Sequence, residues 1–211
     1  KFVLNILKAF LINFLIIGII HAATTCPSIS PQLAGDGPAE QVEAILNKVV
    51  CSFIDLQNQN NGTLMSTLNL TKKKIIPYIE LEYSTQLALG NYWSRLNTKQ
   101  QKIFERDIKN SLMNDYVPYL VDYPDWKNIN ILVDNNFNQE ENFARVKLLV
   151  SIENNNYPLT VVLKLIRSNR WKIYDLDIQS VSLVDIFKIG YDSKIKRQGI
   201  ERLIDKMLSK S

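Results

Sequence analysis

The stretch that decides the fold lies near the end of the chain and reads Trp171-Lys-Ile-Tyr-Asp-Leu-Asp-Ile178, followed by Ser180-Val-Ser-Leu-Val184. The first segment is typical of a β-strand, because apolar and polar residues share it with a period close to two. Ser182 can cap a helix, and Asp185 follows it at the spacing of a capping box. We therefore expect a strand that turns near Ser180 directly into a helix.

Two short amphipathic helices are predicted after this turn. In the first, Val184, Phe187, Tyr191 and Ile195 recur at steps of three and four residues, which gives one apolar face. Gly199 is a natural stop between the two helices. The second helix repeats the apolar spacing with Ile200, Leu203, Ile204, Met207 and Leu208.

Upstream of this stretch, the spacing of the apolar residues changes after Pro124 from the helical period of about 3.6 to a period of two. The connections Glu153-Asn-Asn-Asn156 and Ser168-Asn169 suit hairpins, because Asn tolerates a left-handed backbone. Alternating apolar residues on the middle strands predict a sheet with one apolar face. The predicted strands are Asn130 to Asp134, Phe143 to Glu153, Tyr157 to Arg167 and Arg170 to Ile178.

Before Pro124 the period is that of helices. A helix is predicted to begin at Pro38, and the polar stretch Gln57 to Thr63 ends it. A helical turn at residues 71–79 and a helix over Glu80 to Leu89, closed by Gly90, should follow. Thr98 and Gln101 predict a capping box for the longest helix, and Pro118 should kink that helix near its end.

Helices gathered before and after an antiparallel sheet indicate the α+β class. The order of the segments predicts a curved antiparallel sheet of about four strands, with helices packed over its concave face. No internal repeat is visible in the sequence.

The end of the chain resembles the periplasmic phospholipid-shuttle proteins, the MlaC-like or toluene-tolerance auxiliary family. The family usually has Gly where this chain has Ser180. A second block, from Ile76-Pro-Tyr78 to Leu120, resembles the same family and includes Leu89-Gly90, Trp93, Phe104 and Tyr116. The resemblance implies a cone-like fold related to the NTF2-like folds. The matching positions near the end are Trp171, Lys172, Asp175, Val181, Ser182, Leu183, Val184, Phe187, Lys188, Tyr191, Gly199, Leu203 and Ile204.

The first 22 residues read as a signal peptide with a basic start, a mostly apolar run and a small-residue cleavage site after Ala22. The alternative is a membrane anchor, but Asn5, Lys8 and Asn13 interrupt a run that needs about 20 apolar residues to span a bilayer. We expect an exported, periplasmic protein. Its predicted divisions are a signal peptide at 1–22, a loose leader at 23–37 and a single lipid-binding α+β domain at 38–211.

The two cysteines, Cys26 and Cys51, would meet an oxidising compartment after export, where they could pair. The alternative is a lipoprotein with a lipid-modified Cys26. Thr24 and Thr25 fit that alternative poorly, because a lipobox cysteine normally follows a small residue.

Composition argues against several kinds of chemistry. His21 is the only histidine and would leave with the signal peptide, so a His-dependent nucleophile or a typical zinc site is not expected. No Gly-rich phosphate loop is present. The formal net charge is +4, and only Lys72, Lys73 and Lys74 are clustered, so nucleic acid is not an expected partner. We predict no metal, no cofactor and no catalytic residue.

Asp175 and Asp177 are the remaining acidic candidates. They lie two residues apart on one strand, and like-charge repulsion could raise the pKa of one carboxyl. A structural role near the turn is the more ordinary interpretation. The alternative is a histidine-free isomerase-like enzyme that uses one of these aspartates with a tyrosine, and a third hypothesis is an interaction protein whose apolar faces are all core.

The family resemblance implies a monomeric carrier for one diacyl phospholipid. It also implies two membrane partners: an inner-membrane lipid-transport ABC complex, and an outer-membrane lipoprotein associated with a porin. An apolar sheet face that helices fill incompletely would hold the acyl chains. The predicted lining is Tyr116, Leu120, Val146, Leu148, Val150, Val161, Leu163, Leu165, Leu183, Val184 and Phe187.

Overall fold

An antiparallel sheet organises the protein in the computed structural model, which describes residues 36–121, 126–134, 138–152 and 158–209. Within these residues the sheet has six strands in the order β1-β3-β4-β5-β6, and β2 pairs with β3 outside that path. The strands are β1 Ile129–Val133, β2 Asn138–Glu140, β3 Phe143–Ile152, β4 Leu159–Arg167, β5 Trp171–Ile178 and β6 Val181–Ser182.

Helices precede and follow the sheet, so the α+β class predicted from the sequence is confirmed. The α-helices are α1 Pro38–Asn58, α2 Leu64–Lys74, α3 Leu81–Leu89, α4 Thr98–Ser111, α5 Val117–Val121, α6 Leu183–Gln198 and α7 Ile200–Leu208. Short 3₁₀ segments lie at Ile76–Tyr78, Gly90–Arg95 and Trp126–Asn128, and a π-helical turn lies at Leu112–Tyr116. Among the described helices, none is long and apolar enough to span a bilayer.

The four predicted strands are present, each with ends within two residues of the prediction. The sequence did not reveal β2 and β6, because strands of three and two residues are too short to show a period. The Ser168-Asn169 hairpin is also present, and the Ser168 N–H donates to the Arg170 carbonyl at 3.2 Å. The predicted hairpin at 153–156 lies outside the described residues.

The inner face of the sheet packs against α1. Val146 is fully buried and lies opposite Leu163 in the ladder between β3 and β4. Phe53 of α1 stacks on Trp126 with ring centroids 4.3 Å apart. The Trp171 N–H donates to Oε1 of Gln41 at 2.9 Å, which fixes the start of β5 against the first turns of α1. We call this apolar cluster the sheet core.

A second apolar cluster, the helical core, lies among α3, α4, α6 and α7. Phe104 and Tyr191 meet edge to face with centroids 5.3 Å apart, and Ile108, Leu203 and Ile204 complete the buried centre. We predicted that the helices would cover the concave face of the sheet. Helix α1 covers the sheet in this way, whereas these four helices pack mainly on one another, and α3 and α6 contact the sheet at β5.

The helix ends agree with the sequence except at two places. The capping box of α4 uses Asn97 and Gln100, one residue earlier than the predicted Thr98 and Gln101. The side chain of Asn can accept a backbone hydrogen bond at an N-cap as that of Thr can, so the sequence was compatible with a capping box at either position. The helix α2 begins at Leu64, earlier than the predicted turn at 71–79, because the Thr63 side chain caps it by accepting from the Ser66 N–H at 3.2 Å.

The irregularity predicted at Pro118 takes the form of the π-helical turn Leu112–Tyr116, which joins α4 to α5. Proline has no N–H for the carbonyl of Asn114, and its ring collides with that carbonyl in a regular α-helix. Widening the preceding turn relieves the collision. This segment is therefore a break in an otherwise continuous helical run.

The turn between β5 and β6 contains Ser180, the position at which the chain departs from the pattern of the family that it resembles. Ser180 has φ +69° and Gln179 has φ +49°, so two consecutive residues adopt a left-handed backbone. A side chain costs about 1 kcal/mol in this conformation, whereas Gly adopts it without strain. The Gly that the family usually has at the position of Ser180 therefore suits this turn better.

We predict that Ser180→Gly raises the free energy of unfolding by about 0.5 to 1 kcal/mol, because relief of the left-handed strain exceeds the added entropy of the unfolded chain. Urea denaturation at equilibrium measures the change. Ser94→Gly is the matched control, since Ser94 is exposed and has no positive φ. The control should lower the stability. Equal effects of the two substitutions would contradict the strain argument.

Candidate functional site

The inner face of the sheet brings together most of the predicted lining. Val146, Leu148, Val161, Leu163 and Leu165 are buried within the sheet core. Two further predicted residues, Val150 and Leu120, are partly buried and pack against the same cluster. Seven of the eleven predicted residues therefore surround one apolar interior.

The other four predicted residues lie elsewhere. Val184 and Phe187 belong to the helical core, where the Phe187 and Tyr191 rings stack at 6.3 Å. Leu183 is half-buried and belongs to neither core, and Tyr116 is exposed on the π-helical turn. The structure does not place these four residues on the sheet face. The sequence could not show this, because the period of a helix reveals an apolar face but not which partner covers it.

The sheet core also contains residues that were not part of the predicted lining. Phe53, Trp126, Ile131 and Trp171 line it together with the strand residues. The indole N–H of Trp171 is buried and has no hydrogen-bond partner in the described part of the chain. A buried donor without a partner costs about 1 to 3 kcal/mol, so an acceptor from a bound molecule would stabilise it. Phe53 lies on the apolar face that the sequence predicts for α1, whereas Trp126 lies in a short connection that has no period to identify it.

An exposed apolar surface lies beside this interior. On α2, Met65 is 66% exposed and Leu64 is also exposed. The helix α2 contacts α5, where Tyr119 is 73% exposed. The next residue, Leu120, is partly buried and packs against the sheet core. The two contacting helices and the π-helical turn between α4 and α5 therefore each expose large apolar or aromatic side chains, which water does not favour. We call Leu64, Met65, Tyr116 and Tyr119 the α2–α5 patch.

Asp175 is a buried carboxylate that accepts four hydrogen bonds. Its Oδ2 accepts from Lys164 Nζ at 2.8 Å and from Ser182 Oγ at 2.7 Å. Its Oδ1 accepts from the backbone N–H groups of Leu176 at 2.8 Å and Val184 at 3.0 Å. The carboxylate therefore ties β4, β5 and the first turn of α6 together. Lys164 also pairs with Asp177 at 3.0 Å.

The electrostatics of this pair follow from its contacts. Burial alone raises the pKa of Asp175, but the Lys164 ammonium and the hydroxyl and backbone donors outweigh it and hold that pKa below the ordinary value. Burial likewise lowers the pKa of Lys164, whereas the two carboxylates raise it, and the net shift is upward. Both side chains are therefore charged at neutral pH.

These hydrogen bonds leave Asp175 poorly placed to act as a catalytic acid or base. Asp175 is 6% exposed, and its two oxygens already accept four hydrogen bonds. A general base must reach a substrate proton and tends to have a pKa near the working pH. Asp175 has neither property, so the isomerase-like hypothesis loses one of its two candidate aspartates. The contacts of Asp175 with Ser182 and the Val184 N–H instead hold the start of α6 on the sheet.

Cys51 of α1 is disulfide-bonded. The other cysteine in the sequence, Cys26, lies outside the described residues, as do the predicted signal peptide and most of the leader. Within the described ranges, no group of three or more His, Cys, Asp and Glu side chains could hold a metal ion.

The fold and the site define an α+β protein with an aliphatic interior between an open, curved sheet and its helices. Comparison with family models matches residues 43–209 to the family described as MlaC protein. The chain belongs to the MlaC family.

Two relatives support the same assignment. The chain is 24% identical over 188 residues to the intermembrane phospholipid transport system binding protein MlaC of Haemophilus influenzae, covering 88% of this chain and 82% of that protein. Among solved structures, it resembles the phospholipid-binding protein of Ralstonia solanacearum in complex with a phospholipid. That match has a TM-score of 0.69 and 22% identity, and it covers 83% of this chain and 96% of the other. The structural likeness shows the fold.

We predict that Asp175→Asn lowers the free energy of unfolding by about 3 kcal/mol at pH 7, because it leaves Lys164 charged without its main partner. The folded-state pKa of Asp175 lies below its unfolded value of about 3.9. The stabilisation is therefore fully present above that unfolded value and is lost as the pH falls through the folded pKa.

Urea denaturation across a pH series tests this prediction. The difference between the wild type and Asp175→Asn should shrink as the pH falls below about 4. Asp205→Asn is the control, since Asp205 is an exposed residue of α7. A difference that stays constant down to acidic pH would show that Asp175 does not stabilise the fold through its charge.

Proposed function

We propose that this protein is a periplasmic carrier that binds one diacyl phospholipid with its acyl chains in the sheet core. The observation that supports this proposal is the sheet face itself, where aliphatic side chains of β3 and β4 lie opposite one another under α1. The family relatives named for phospholipid binding and transport point to the same ligand.

Such a carrier must supply a large free energy of transfer to keep acyl chains out of water. Each methylene transferred from water to an apolar interior gains about 0.8 kcal/mol, so two chains of about fifteen methylenes represent on the order of 20 kcal/mol. A protein that moves a phospholipid through water must therefore enclose both chains. The head group can stay in water, and the buried indole N–H of Trp171 offers a donor to an ester oxygen of the buried part of the lipid.

Access to the sheet core requires a helix to move. Val146, Leu148 and Leu165 are each at most 3% exposed, so acyl chains reach them only if their cover shifts. The run from α4 to α5 has a natural break at the π-helical turn before Pro118. The α2–α5 patch lies beside that break and exposes apolar side chains to the solvent. We therefore assign the entry route of the lipid to α2 and α5.

The carrier would act between two membranes. By its family, its partners would be an inner-membrane lipid-transport ABC complex and an outer-membrane lipoprotein with a porin. Export would remove residues 1–22, leaving the leader 23–37 and the domain 38–211, as expected from the sequence. The proposed protein is a monomer that needs no cofactor and catalyses no reaction.

Native mass spectrometry of protein purified from the periplasm tests the proposal. We expect the mass of the mature chain plus one phospholipid. Val150→Gln should reduce the bound lipid severalfold, because the amide places a polar group against the acyl chains. Leu149→Gln is the matched control, since Leu149 is the neighbouring half-buried residue of β3 and lies outside the sheet core.

Two results would contradict the binding site. The first is equal lipid loading in both variants, which would place the acyl chains elsewhere. The second is a wild-type protein that purifies folded and without lipid, which would favour the interaction-protein hypothesis. Circular dichroism checks that both variants remain folded, so lost lipid is not mistaken for lost structure.

We also predict that Pro118→Ala slows the release of lipid severalfold. Alanine restores the N–H and removes the ring collision, so the π-helical turn can close into a regular helix and the break becomes stiffer. Transfer of a fluorescent phospholipid from the protein to acceptor vesicles measures the rate. Pro77→Ala is the control, because Pro77 lies in the 3₁₀ segment beside β5. Unchanged transfer in Pro118→Ala would remove this helix from the release step.

A further inference from the structure

An open groove of about 360 Å³ lies between α4 and α7, away from the sheet core. We call it the α4–α7 groove. Its apolar lining residues are Ile103, which is half-buried, and Leu208, which is 49% exposed. Three cationic side chains and one hydroxyl complete the lining: Lys99, Lys102, Arg106 and Thr98. All three cations are exposed and come from α4.

Two of the three cations are free to bind an external anion. Lys102 already pairs with Glu105 at 2.9 Å and with Glu82 at 3.4 Å. Lys99 and Arg106 form no ion pair with any residue in the described part of the chain. The groove therefore combines an apolar lining with an uncompensated positive charge.

We infer that the α4–α7 groove docks an acidic segment of a partner protein that carries one large apolar side chain. The apolar side chain would lie against Ile103 and Leu208, and the flanking carboxylates would pair with Lys99 and Arg106. Opposite charges at the rim of an interface raise the association rate and select the partner, while a buried apolar side chain supplies affinity. The charge complementarity points to an acidic occupant.

The shape of the groove favours a protein segment over a lipid surface. A bilayer contacts mainly side chains that protrude, whereas Ile103 is half-buried and lines the open groove beside the cationic side chains. A single side chain can enter this groove. This inference goes beyond the proposed lipid binding, because none of the groove residues belongs to the sheet core. A carrier that delivers its cargo to membrane complexes requires a docking surface of this kind.

Isothermal titration calorimetry of the full-length mature protein tests the inference with three synthetic peptides. The first is acetyl-Ser-Glu-Asp-Leu-Glu-Asp-Ser-amide, the second replaces its Leu with Ser, and the third replaces its acids with Gln and Asn. We expect the first peptide to bind, with an affinity that falls as salt rises. Both changed peptides should bind at least about tenfold more weakly.

Variants of the protein locate the binding. The double variant Lys99→Glu with Arg106→Glu, and separately Leu208→Ser, should each weaken the first peptide about tenfold or more. Lys188→Glu is the matched control, since Lys188 is an exposed helical lysine outside the groove. The bound phospholipid should be unchanged in all of these variants, so failure of the groove is distinguishable from failure of the proposed carrier function.

Three outcomes would overturn the inference. One is no binding of any peptide at millimolar concentration. Another is binding that the groove variants leave unchanged. The third is binding of the wild type, through Lys99 and Arg106, to vesicles of phosphatidylglycerol and phosphatidylcholine with no binding of the acidic peptide, which would make the groove a membrane contact.

Discussion

The carboxylate of Asp175 is the interaction on which the joining of sheet and helices depends. It accepts from Lys164 of β4, from Ser182 at the cap of α6 and from the Val184 N–H of the first turn. A register shift between Lys164 and Leu165 places Asp175 opposite Lys164 in the ladder between β4 and β5. Without this bulge, the regular alternation of the strand would direct the carboxylate elsewhere. One irregularity in the sheet therefore creates the joint.

Other contacts between the sheet and the helical core lie close to the same joint. The Glu80 N–H donates to the Ile173 carbonyl at 2.8 Å, and Ser84 Oγ donates to the Tyr174 carbonyl at 2.7 Å. The sheet core and the helical core share no buried residue among those described. A packing change in the sheet core can therefore occur while the helical core keeps its structure. This separation suits a protein whose apolar interior must admit and release a large ligand.

The sequence predicted the class, the main strands and most helix ends, because each depends on local periods and capping residues. The assignment of helices to faces could not be predicted. Val184, Phe187 and Tyr191 form a clear apolar face of α6, yet this face packs on residues of α3, α4 and α7 rather than in the sheet core. Only the long-range contacts of the folded chain decide which apolar surface another one covers. The bulge in β5 was equally hidden, since a one-residue register shift leaves no signature in so short a strand.

The residues that carry the family resemblance include those that form the joint between sheet and helices. Asp175, Ser182 and Val184 belong to the matched segment and bind one another directly. The residues of β3 and β4 in the sheet core contributed nothing to the resemblance, and Trp171 at the start of β5 is the sheet-core strand residue that did. An apolar interior needs only volume and aliphatic surface, which many sequences supply, whereas a buried carboxylate needs particular donors at fixed positions. The family can therefore be recognised from its joint, and the ligand must be inferred from the interior that the joint holds in place.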